Sequence, residues 1–166
     1  MKTITSFFVF LAFLCIGVFA QEGVDYSQSL SNLSYNQKKE LANKIFPVYQ
    51  KRFEINVRDT ILVKINDACN VEIDTALLKY PEDEREAKKN EIWSSITKLK
   101  KYQKFANYST LNYYVTPTGL ATVIDNYSSG TIGRAVNIWY SQCEKALYQS
   151  ANSVFREAKT WLDENY

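Results

Sequence analysis

IGRAVNIWYSQCEKALYQSANSVFREAKTW, residues 132–161, is the stretch whose reading decides the fold. Ile132, Val136, Trp139, Cys143, Leu147, Ser150, Val154, Ala158 and Trp161 step along it at threes and fours. That is the period of one buried face of an α-helix. The row runs for about eight turns at 3.6 residues per turn and predicts a helix over 131–163.

Working outward, the same period recurs upstream. Phe53, Val57, Ile61, Ile65, Ala68 and Cys69 predict a helix over 48–79. The β-branched run ILVKI inside it favours a strand locally, but the helical period holds on both sides. Tyr80-Pro81 breaks the chain, and Glu82, Asp83, Glu84 and Glu86 open a helix over 82–105. Its lysines, Lys98, Lys100, Lys101 and Lys104, gather at the far end, so its charges complement the helix dipole rather than forming a binding patch. Ile92, Ile96 and Leu99 form its inner face.

Before these, Ser34-Tyr35-Asn36-Gln37 is a capping box opening a helix over 35–46, which Pro47 kinks or ends. Residues 21–33 are polar and serine-rich. Residues 106–118 read as one long irregular connection, and a short helix over Leu120–Tyr127 ends at Ser128-Ser129-Gly130. The predicted class is all-α: an antiparallel bundle of four to five helices forming one domain over 21–166.

MKTITSFFVFLAFLCIGVFA, residues 1–20, has the form of a secretory signal peptide: Lys2 at the start, an apolar run over Phe7–Phe19, and small residues Val18 and Ala20 before cleavage. The expected mature chain is secreted and extracellular and begins at Gln21, which can cyclise. Cys15 leaves with the signal, so Cys69 and Cys143 remain as an even pair in an oxidising compartment. A disulfide between them is the expectation, worth roughly 4 kcal/mol in the chain-entropy model; two buried free thiols are the alternative. Three sequons, at Asn32, Asn107 and Asn126, suit a secreted glycoprotein, provided each is exposed.

The chain holds no histidine, which removes Ser-His-Asp and Cys-His catalysis and any histidine-ligated metal. It has no phosphate-binding glycine loop and no G-x-S-x-G. Asp67, Glu72 and Asp74 are the only close carboxylates worth weighing as an acid–base set, and nothing around them suggests a cleft. No enzyme, metal or cofactor is therefore expected. Charge is nearly balanced, 20 basic against 18 acidic residues, so nucleic acid is not an expected partner. No membrane span is expected after the signal.

Tyrosine is the unusual commitment, with 12 in the chain. Tyr108, Tyr113, Tyr114 and Tyr127 cluster around the 106–118 segment and form a candidate interaction surface, since tyrosine gives large contact area at low entropic cost. The alternative is that these rings pack the segment onto the fold. Phe53, Ile61, Ile92, Ile96, Trp139 and Phe155 are candidate walls of an apolar ligand cavity, or simply a filled core.

The signal, the helical length and the sparse cysteines resemble, in format, the small secreted helical proteins of arthropod saliva, gut and reproductive fluid. No functional residue carries over. The resemblance implies a non-enzymatic protein that binds another extracellular macromolecule or, alternatively, carries a small hydrophobic ligand.

Overall fold

The computed structural model describes residues 23–166. The expected signal, residues 1–20 with Lys2, Cys15, Val18 and Ala20, lies outside them, as does Gln21. The described chain is all-α: α1 (Tyr35–Asn56), a π-turn (Val57–Ile61), α2 (Leu62–Leu77), α3 (Glu82–Ile96), α4 (Lys100–Ala106), α5 (Ser109–Tyr114), α6 (Pro117–Asn126) and α7 (Ile132–Asn165). No helix among the described residues is long and apolar enough to cross a membrane. The fold divides into two compact units, one of residues up to Lys51 with Pro117–Ile138, the other of Arg52–Thr116 with Trp139–Tyr166.

In the first unit the expected capping box forms. The backbone N–H of Ser34 donates to Gln37 Oε1 at 2.8 Å, and the N–H of Gln37 to Ser34 Oγ at 3.4 Å. Pro47 does not end α1. It is exposed, and so is Asn43, whose carbonyl loses the helical bond that proline cannot donate. A carbonyl left open on the solvent side costs little, and the helix continues through Pro47. Leu30 is buried, and the chain around it is tied to the start of α7. Leu30 N–H donates to the Gly130 carbonyl at 2.9 Å, Ile132 N–H to Gln28 at 3.0 Å, and Gly133 N–H to Tyr26 at 2.9 Å. A Cβ on Gly133 would stand 3.1 Å from the Tyr26 carbonyl, so this close approach uses the missing side chain.

In the second unit, helix rather than strand is the outcome across ILVKI. The buried residues Phe53, Val57, Ile61, Ile65, Cys69, Ile73 and Leu77 are spaced at strict fours. A straight α-helix rotates such a row by about 40° per step. The π-turn at Val57–Ile61, wider than an α-turn, takes up part of that drift.

Paired contacts set the direction of each helix in this unit. Lys89 pairs with Asp74 at 2.7 Å and the Trp93 indole donates to Asn70 at 3.0 Å, so α3 runs antiparallel to α2. Phe53 stacks on Tyr140, Lys64 lies over the Tyr148 ring, and Lys159 pairs with Glu72 at 2.6 Å. Both numbers rise together, so the length from Phe53 through α2 runs parallel to α7.

That register corrects the expected disulfide. Cys69 stands opposite the part of α7 between Tyr148 and Lys159, roughly a dozen residues beyond Cys143. At 1.5 Å per residue this is roughly 18 Å, against the ~7 Å that a bridge tolerates between Cα atoms. Both cysteines are buried free thiols.

The predicted 82–105 helix is two helices. Leu99 is extended, with φ −61° and ψ 138°, and α4 starts anew at Lys100. The Thr97 hydroxyl donates back to the Trp93 carbonyl at 3.0 Å, and Glu157 on α7 accepts the Lys101 N–H at 3.0 Å. The lysines read as the end of one helix thus lie at the break and on α4. The 106–118 segment is not irregular either. Asn107 Oδ1 accepts from the backbone N–H and the hydroxyl of Ser109 at 3.0 and 2.6 Å, and α5 begins there, burying Leu111.

On α7 the inner row ends on Ala151 and Leu162, with Ser150 and Trp161 only half-buried. Several buried positions recur at eleven residues, 3.67 per turn: Val136, Leu147 and Ala158, Cys143 and Val154, and Ala151 and Leu162.

Candidate functional site

α5 is a single short helix that carries two adjacent tyrosines. Tyr113 is 77% exposed, and its ring meets that of Tyr114 edge to face at 4.9 Å. Such a contact holds both rings in place and leaves most of Tyr113 in water. Behind α5, the Cys143 thiol donates to the Tyr114 carbonyl at 3.5 Å, so the residue expected to staple two helices instead braces the end of α5.

The tyrosines border a cleft of about 340 Å³. Lys101 and Lys104 line it from α4, Ser109 and Thr110 from the start of α5, and Ser150 and Ser153 from α7. Lys101 Nζ donates to Ser153 Oγ at 2.8 Å, which fixes one cation at the wall. Lys104 is exposed. The cleft therefore offers aromatic faces, hydroxyls and positive charge.

The remaining sequence-derived residues fall as follows. Tyr108 is half-buried at the turn before α5, with φ at 62° in the left-handed region. Tyr127 is exposed but belongs to the other compact unit, so the four tyrosines are not one described surface. Of the candidate cavity residues, Phe53, Ile61, Ile92, Ile96 and Trp139 are buried, and Phe155 is half-buried. The Phe53 ring lies 4.5 Å from Tyr140 and 5.8 Å from Trp139, which occupies the space a ligand would need.

Asn32, Asn107 and Asn126 are all exposed, the condition each sequon requires. Glu72 and Asp74 are engaged by Lys159 and Lys89, while Asp67 is exposed. Among the described residues, no group of three or more cysteines and carboxylates is placed to hold a metal ion. Burial pushes both thiols up to about 11, with the Glu72 carboxylate adding to the effect at Cys69. They are poor nucleophiles near neutrality.

Sequence reasoning missed the lysines and serines of the cleft. The only available signal was the spacing of Lys101 and Lys104, three apart and so on one helix face. Comparison with protein-family models, with curated proteins and with solved structures gives no match to this chain.

Proposed function

We propose that this chain is a secreted, non-enzymatic glycoprotein that binds another extracellular macromolecule through the Tyr113–Tyr114 face of α5. The observation that carries this reading is Tyr113: a large ring, 77% exposed, held by a neighbouring ring beside a cleft with two lysines. Exposed aromatics that are already ordered lose little entropy on binding, and flanking lysines supply long-range attraction to an acidic partner. The carrier reading, with an apolar ligand among Phe53, Ile61, Ile92, Ile96, Trp139 and Phe155, has less support because Phe53 packs against Trp139 and Tyr140 there.

The test uses a photo-crosslinking residue at position 113 and, separately, at the exposed Val71 on α2, in protein incubated with the fluid of its natural source. The expected result is a discrete adduct through position 113 alone, suppressed by excess unlabelled wild type but not by Y113A/Y114A. Identical adducts from both positions would remove the reading. Amino-terminal sequencing of the secreted form, expected to begin at Gln21, and a glycosidase-sensitive mass check the rest.

A further inference from the structure

Lys38 is the one charged residue buried among those described. It sits at the end of the first turn of α1, where its N–H makes a helical bond to the Ser34 carbonyl at 3.0 Å. Two forces oppose a cation there. Its side chain is only 10% exposed, which strips the ammonium of water, and the amino end of a helix is the positive end of its dipole. No acidic residue occupies that first turn to offset them.

The compensation is thin. Lys38 Nζ has one acceptor among the described residues, Asp125 Oδ1 on α6, at 3.3 Å. Good charge-assisted contacts are about 2.7–2.9 Å, and an ammonium has three hydrogens to place. Asp125 is 46% exposed, so water serves much of its carboxylate. Lys38 also lines a cleft of about 350 Å³ within the first compact unit. Its walls include the exposed Tyr35 and Lys39 on α1, and Pro117 and Ala121 on α6. That volume suits a small molecule rather than a chain. Its lining combines a buried cation, a second exposed cation, the Asp125 carboxylate, the sequon residue Asn126 at the edge and a partly apolar wall.

We propose that this cleft binds a small organic anion, whose acidic group is held by Lys38 and Lys39 and whose apolar body lies against Tyr35, Pro117 and Ala121. The two lysines outweigh Asp125 by one charge, so an anion is attracted and a cation is not. Bound acid oxygens complete the donors that Asp125 leaves unused, and Asp125 itself competes for Lys38. This inference stands on a different unit from the Tyr113 face and does not depend on it.

The competition makes the test directional. The full-length mature chain is titrated with 1-anilinonaphthalene-8-sulfonate, and separately with N-phenyl-1-naphthylamine, which has the same aromatic body without the acid. The sulfonate is expected to bind at one saturable site. K38M should weaken it by about tenfold or more, the scale of one lost charge-assisted hydrogen bond, and D125N should tighten it. The uncharged relative should not distinguish wild type from K38M. Octanoate should displace the sulfonate at concentrations where inorganic phosphate does not. Unchanged affinity in K38M, or weakening in D125N, overturns the proposal. Equal displacement by phosphate overturns its apolar half. If K38M does not fold, D125N and the two probes on wild type still give the answer.

Discussion

Replacing Phe53 with alanine separates a filled core from a vacant one in the second unit. The side chain is fully buried, stacked on Tyr140 at 4.5 Å and 19°, and set edge-on to Trp139 at 5.8 Å. Truncation removes roughly 120 Å² of buried ring, about 3 kcal/mol at ~25 cal/mol per Å². The two aromatic contacts add about 0.5–1.5 kcal/mol each. A loss of about 4 kcal/mol is expected, inside the ~3–5 kcal/mol range for buried Phe→Ala changes. Phe53→Leu keeps most of the volume and loses the ring geometry, so about 1–2 kcal/mol is expected. Urea unfolding followed by circular dichroism at 222 nm measures both, with stability read from the midpoint at unchanged slope. If Phe53→Ala costs less than about 1 kcal/mol, or costs the same as Phe53→Leu, the site is not packed as described. The apolar-carrier reading would then regain its ground.

Both cysteines should be labelled by iodoacetamide in unfolded, unreduced protein, since the parallel register leaves them unbridged; protection of both would restore the disulfide. In the folded protein at pH 9 only about 1% of each thiol is ionised, against about half in the unfolded chain, so labelling should be slow. Because the folded value is raised from 9.0 to about 11, the stability each thiol contributes is fully present below pH 9 and is lost as pH rises from 9 to about 11. Pro47→Ala should raise the urea midpoint, by the equivalent of about 1–3 kcal/mol, because it restores a helical N–H at an exposed position; a lower midpoint would mean the proline shapes α1. Glu157→Ala leaves the Lys101 N–H without its acceptor and should cost about 1 kcal/mol, with faster amide exchange confined to the start of α4.

Several elements are written in consecutive residues. The rows of apolar side chains announce α2 and α7, and the Ser34–Gln37 box announces the start of α1. Even the π-turn has a local signature, since an apolar row at strict fours cannot stay on one face of a straight α-helix. Asn107 and Ser109, with Leu111 and Val115 four apart and both buried, also mark α5, but a run of polar residues and tyrosines hides them.

The sequence by itself determined the helical class, the exclusion of histidine chemistry and most of the inner faces of the long helices, because periodicity and capping act within a few residues. Tertiary structure alone decided the rest, through groups distant along the chain. The break before α4 is sealed by Glu157, 56 residues from Lys101. Cys143 turns to the Tyr114 carbonyl, 29 residues away, because parallel packing carries Cys69 out of reach. Lys38 becomes a buried cation beside a cleft only where α6 brings Asp125 to it across 87 positions. An exposed lysine at a helix start and a buried one read alike in sequence; the water that packing removes is what sets them apart.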